Sequence, residues 1–152
     1  MKALTVWQPW ASLIAAGVKP YEFRGWSAPS WVVGQRIAVH AGARKPKRGE
    51  VEQLIMICRG GRGRRAGLLD GALEILERLH VGGELWLGCV VCTAVLGEPF
   101  SAAGGLPALG IDRNDSDRSK HFNFAWPMLD VQRIEPPVPA RGAQGFWQWS
   151  AA

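Results

Sequence analysis

The stretch that most constrains the fold is Leu87-Gly-Cys-Val-Val-Cys-Thr-Ala-Val-Leu96, an almost unbroken apolar run rich in β-branched residues. With no polar alternation it reads as a strand in a central, covered position of a sheet. Other strand patterns surround it: Leu4 to Trp7, Tyr21 to Trp26, Arg36 to Ala41 (introduced by Gly34 and closed by Gly42), and Phe146 to Trp149. A further strand, Phe124 to Ile134, is bounded by Pro136-Pro-Val-Pro139. Helical periodicity is limited to three places. Pro9 to Ala16 puts Trp10, Leu13 and Ile14 on one face, with Gly17 as the left-handed residue that closes a helix. Val51, Leu54, Ile55 and Cys58 mark a second helix, and Leu69, Leu73, Leu76 and Leu79 a third from about Leu68 to Leu79. Strands outnumber helices and do not alternate with them, so an α+β architecture is expected over a doubly wound one.

The chain has 152 residues and a hydrophobic fraction of 47%, the size of one domain, 1–152, with enough core to fold alone. Neither a membrane span nor a signal peptide is expected. Three cysteines do not make a disulfide framework, which points to a cytoplasmic setting. Cys89-Val-Val-Cys92 lies inside a strand pattern and reads as buried thiols, not as a metal or redox motif. Asp112-Arg-Asn-Asp-Ser-Asp117 starts like a calcium loop, but has Asp where glycine is needed and Asn123 where the closing glutamate should be. No metal and no cofactor are expected.

Charge is unevenly placed. The net +5 comes from one segment, since Arg44 to Arg65 holds eight Lys/Arg and two Glu while the remainder holds ten basic and eleven acidic residues. Within this basic segment (44–66), Arg44, Lys45, Lys47, Arg48, Arg62, Arg64 and Arg65 would form an electrostatic approach surface for a polyanion. A solvated basic loop, mobile around Arg59 to Arg65, is the alternative. Residues 101–120 are polar and long for a connector, hence a lid or a flexible loop.

The chemistry-bearing patch is Gly17-Val-Lys-Pro-Tyr-Glu-Phe-Arg24. Strand alternation sets Glu22, Arg24 and Trp26 on one side, and Lys19 in the preceding turn can reach that face. Lys19 would bind a phosphate or base carbonyl, or act in proton transfer, or simply pair with Glu22. Glu22, flanked by two cations, is held charged and suits orientation better than proton acceptance. Arg24 suits bidentate contact with phosphate or a base edge, or an ion pair with Glu22. Trp10 and Trp26 flank the motif as stacking surfaces for a base, while Trp7 and Trp147 read as structural. His40 either lines the groove or is a core histidine, and His80 and His121 have no evident partners.

Gly17, Lys19, Glu22 and Arg24 resemble the G-x-K-x-x-E-x-R signature of the ASCH family, a branch of the PUA-like superfamily. Gln8-Pro9-Trp10 and His40-Ala-Gly42 resemble flanking segments of that family, and Phe124-Ala-Trp-Pro127 and Gly142 to Trp147 do so more loosely. The resemblance implies a small, partly open PUA-like β-barrel with flanking short helices and a groove for RNA or a nucleoside or nucleotide. Gln8, Trp10, Lys19, Glu22, Arg24, Trp26 and His40 would line that groove. Some relatives hydrolyse the amide of acetylated cytidine and others cut RNA. In such an enzyme Lys19 and Glu22 would be catalytic, although those hydrolases carry threonine where Glu22 stands. A third class of function is a protein-interaction module whose basic loop docks an acidic partner. Oligomeric state is not legible.

Overall fold

The computed structural model describes residues 1–151. The chain runs β1 (Lys2–Val6), α1 (Trp10–Ala15), β2 (Tyr21–Arg24), β3 (Arg36–Ala41), α2 (Arg48–Arg59), α3 (Ala72–His80), β4 (Cys89–Leu96), β5 (Phe100–Ser101), α4 (Ala102–Gly105), β6 (Phe124–Pro139) and β7 (Phe146–Gln148). Single 3-10 turns occur at Ser30–Val32, Arg64–Ala66, Leu106–Leu109 and Ser119–Asn123. Among the described residues the strands form one curled sheet in the order β2-β6-β4-β3-β1-β7, with β5 pairing β6. The result is an open half-barrel with a few short helices, an α+β fold. Only β1 and β3 run parallel; the other pairings are antiparallel. No helix among the described residues is long and apolar enough to cross a membrane.

The central apolar run behaves as its composition requires. β4 lies between β3 and β6 and is buried at every position but one. Its Val91, Cys92, Ala94 and Leu96 join Leu4, Ile37, Val39 and Trp126 in the main core, which α1, α2 and α3 cover with Leu13, Ile14, Leu54, Ile55 and Leu76. Cys92 is fully buried, and burial pushes its thiol up to about 12, so both its position and its chemistry are those of a core residue.

Curvature comes from irregularities in β6. The strand pairs β2 through Phe124–Pro127 and then crosses to β4, where the register shifts twice. One shift holds Asp130, a non-glycine residue at φ 44° that also receives the Arg36 guanidinium. The other holds Pro136 and Pro137. Proline cannot donate to a ladder and is tolerated at bulges. The expectation that β6 stops at Ile134 is therefore corrected: the prolines bend the strand and it continues to Pro139.

α1 ends as its sequence suggests. Gly17 sits at φ 75°, its N–H reaches Ile14 O at 2.9 Å, and the N–H groups of Val18 and Lys19 both reach Leu13 O. Pro9 precedes the helix instead of opening it. α3 begins at Ala72, later than the leucine pattern suggests, because Gly71 (φ 96°) breaks the chain there and leaves Leu69 exposed.

Gly142 marks a close approach. A Cβ there would collide with the His40 ring and lie 2.8 Å from Thr5 Oγ1. Gly104, by contrast, has open space around it. Gly142→Ala should lower the urea-unfolding free energy by about 1–3 kcal/mol, the usual cost of overpacking, while Gly104→Ala should stay within about 0.5 kcal/mol of wild type. Equal stability of the two variants would show that the loop after β6 is not seated on His40.

Candidate ligand-binding site

The two margins of the half-barrel do not pair as strands. They are joined by side chains. From β2, Arg24 extends Nη2 to Thr5 O of β1 at 2.8 Å and Nε to Glu22 Oε1 at 3.1 Å. From β6, Trp126 stacks on Phe146 of β7 with centroids 5.8 Å apart, and its Nε1 donates to Trp26 O at 3.0 Å. At this seam lies a cleft of about 650 Å³ lined by Thr5, Trp7, Trp10, Glu22, Phe23, Arg24, Trp26, Asp115, Ser116, Arg118, His121 and Gln144 among others.

The far wall of the cleft is the segment expected to be a lid or a flexible loop. In the structure it forms a strap packed along the cleft. Leu106 and Ile111 pack with Phe23, and the N–H groups of Asp112 and Arg113 bond to Arg65 O. Asp115 is buried and accepts from Lys19 Nζ at 2.5 Å, while its own carbonyl takes the Trp10 Nε1 hydrogen bond at 3.0 Å. Burial pushes the Asp115 carboxyl up and nearby Glu22 adds to this, against the pull of Lys19 and Arg118.

Lys19 is therefore not a groove floor. It is 1% exposed, 2.5 Å from Asp115, 3.6 Å from Glu22, and set over the Phe23 ring. No ligand reaches its ammonium while the strap is seated, and its effect on the cleft passes through the two carboxylates. Gln8 and His40 are likewise placed away from the cleft. Gln8 is fully buried and spans Trp86 O and Ser12 N. His40 bonds Ala140 O at 3.0 Å and meets the Trp147 ring edge to face; burial lowers its pKa.

Glu22, Arg24, Trp10 and Trp26 do line the cleft. Trp26 is 40% exposed and packs its edge against Trp126. Three residues that sequence reasoning passed over join them. Trp7, expected to be structural, is 40% exposed, with the Arg44 and Arg118 guanidinium carbons 4.1 Å and 4.4 Å from its ring centroid. Arg118 also lies 5.1 Å from the Trp10 ring. His121 faces the cleft, and burial together with Arg118 and Arg24 lowers its pKa against the opposing effect of Glu22. The acidic stretch 112–117 was the only sequence signal for this wall.

The basic segment is largely answered by carboxylates. Arg44 pairs with Glu50, Arg48 with Glu52, Arg59 with Glu77, Arg64 with Asp70 and Arg65 with Asp112. α2 separates its two ends, and Arg59 and Arg64–Ala66 are regular structure. A continuous bare approach surface is not what forms; among the described residues Lys45, Lys47 and Arg62 make no ion pair. Nor does any group of three His, Cys, Asp or Glu side chains converge as a metal set among the described residues. No protein-family model matches the chain, and no curated protein matches it.

Removing Lys19 would strand the buried Asp115 carboxylate, while Glu22 keeps Arg24. Lys19→Met should cost about 3–5 kcal/mol in urea unfolding, the range for a broken buried pair. Adding Asp115→Asn should recover a large part of that loss. A double variant no more stable than the single one would mean the pair does not hold the strap.

Proposed function

We propose that the chain is an RNA- or nucleoside-binding domain, an ASCH-type member of the PUA-like barrels, that seats a base in the seam cleft. The observation that carries this is the gathering of aromatic and cationic groups around one open cavity: the exposed Trp7 and Trp26, with Arg24 and Arg118 in the same lining. Nucleic-acid binders use such surfaces, aromatics to stack bases and guanidinium groups to meet phosphates or base edges. The signature residues support the same reading, because Gly17 ends α1 and the Lys19, Glu22 and Arg24 side chains gather behind and beside that cavity. Titrating nucleosides and short oligonucleotides against tryptophan fluorescence and heat of binding tests it. Trp26→Ala should weaken binding by about 1–3 kcal/mol, the worth of one base–aromatic stack. Unaltered affinity in that variant would place the ligand elsewhere.

One observation favours an enzyme as the second reading. The cleft holds a histidine, His121, whose pKa is lowered chiefly by burial and which lies near Glu22, and a neutral imidazole is the commonest general base. Hydrolysis of a modified-nucleoside amide, or RNA cleavage, would use it to take a proton from water or a ribose hydroxyl. Because the pKa of His121 is lowered, the base form persists below the ordinary histidine value of 6.5. Turnover of acetylated cytidine or RNA should thus stay level as pH drops past about 6.5, then fall on further acidification, and His121→Gln should abolish it. A product assay showing none with either substrate rejects this reading and leaves the binder.

A further inference from the structure

We propose that Arg118 is the phosphate-binding residue of the cleft, so that its ligand is a phosphorylated nucleotide unit and not a neutral nucleoside. The inference rests on the reading of the cleft as a base-binding site and names the second half of what that site takes. Other arginines around the cleft have partners. Arg24 bonds Glu22 and Thr5 O, Arg44 forks onto Glu50, and Arg65 forks onto Asp112. Arg118 differs from them. Among the described residues no carboxylate lies within ion-pair distance of it, its side chain donates no hydrogen bond, and its Nε is buried without an acceptor.

Buried polar groups are normally satisfied, and a charged donor left bare is costly. What holds Arg118 in place is the pair of indoles beneath it, Trp7 at 4.4 Å and Trp10 at 5.1 Å. Cation–π contact uses the charge and none of the five N–H donors. The remaining charges of the site are already matched, Lys19 with Asp115 and Arg24 with Glu22. Arg118 is thus the cation of the cleft that no carboxylate binds directly, although it acts at longer range on Asp115 and Glu50, and its planar donor fork is suited to two phosphate oxygens. Ser116 and Gln144 line the same cavity as neutral hydrogen-bonding groups, and Trp26 is left for the base. Phosphate of this kind comes either as the monoester of a free nucleotide or chain end, or as the diester inside RNA.

Calorimetric titration of the whole chain distinguishes these. The ligands are the four nucleosides, their 5′- and 3′-monophosphates, and a short RNA without terminal phosphates; the proteins are wild type, Arg118→Gln and Arg118→Lys. For wild type, at least one phosphate-bearing form should bind about tenfold or more tightly than the matching nucleoside, a difference of about 1.4 kcal/mol. Arg118→Gln should erase that ratio, and Arg118→Lys should retain part of it. A gain confined to monophosphates identifies a free nucleotide or chain end, and a gain confined to the RNA identifies the diester. Nucleosides binding as tightly as their phosphates would overturn the inference while leaving the base site standing. So would an Arg118→Gln variant that weakens nucleoside and nucleotide alike, since that is a structural effect. Absence of binding by every ligand would overturn the cleft reading and this inference together. Should Arg118→Gln fail to fold by circular dichroism, the wild-type ratio and Arg118→Lys decide.

Discussion

The contact on which the site depends is the buried pair of Lys19 and Asp115. Drawing two charges out of water costs several kcal/mol for each, and their attraction repays this only with good geometry. The pair is thus a weak source of net stability but a strong selector. With Nζ 2.5 Å from the carboxylate and both side chains buried, any other seating of the strap would separate Asp115 from its cation and leave the Lys19 ammonium with Glu22 alone, at 3.6 Å. The partners are 96 residues apart in sequence, so one contact fixes a long connection onto the turn after α1. The strap is also folded locally. Asn114 accepts from Ser116 N and donates to Arg118 O, and Ser116 Oγ accepts from Arg118 N, side-chain bonding of the kind that asparagine and serine use to build turns. Asp115 anchors the turn; Arg118 is what it delivers to the cleft.

The half-barrel explains why there is a cleft to deliver to. A fully closed barrel of this size would fill its interior with side chains. Here the sheet curls through the bulges of β6 but stops short of pairing β2 with β1. Arg24 spans the gap with a hydrogen bond to Thr5 O, and Trp126, Phe146 and Trp26 fill the deeper part of the seam. These bridges leave the mouth open between two aromatic walls. A guanidinium is well suited to the role, because its planar fork can hold a backbone carbonyl on one margin and Glu22 on the other without needing water.

Local features of this architecture were legible in sequence, and tertiary ones were not. β3 runs over Arg36–Ala41 as its pattern indicates, Trp10, Leu13 and Ile14 face the core, and Gly17 takes the left-handed conformation. Each depends on residues within one turn or one strand. Placement relative to the cleft depends on contacts far apart in the chain. Gln8 and His40 are polar residues beside a motif, and polarity says nothing about whether a hydrogen-bond partner waits inside the fold; both found one. Trp7 was read as core because tryptophan usually is, yet Arg44 and Arg118 give its face a polar partner at the surface. Asp115 and Arg118 come from the stretch 101–120, whose composition suggests mobility, and their importance arises only when that stretch meets α1 and β2.

The same logic revises how charge works in this molecule. Counting residues puts the positive excess in 44–66, but Glu77, Asp70 and Asp112, all outside that segment, come back to meet Arg59, Arg64 and Arg65. Exposed pairs such as these add little to stability, yet they pull the local potential toward zero at close range. Net charge is a property of the sequence, whereas a field depends on which charges remain unanswered after folding. In the cleft the order is reversed. A site that is nearly balanced by count, with Lys19, Arg24 and Arg118 facing Glu22 and Asp115, keeps one cation whose hydrogen bonds are all free. A diffuse basic patch attracts any polyanion and loses hold of it as salt rises. A guanidinium held against two indoles meets its anion in one geometry. The fold therefore trades a general attraction that its composition suggests for a local one that its sequence order conceals.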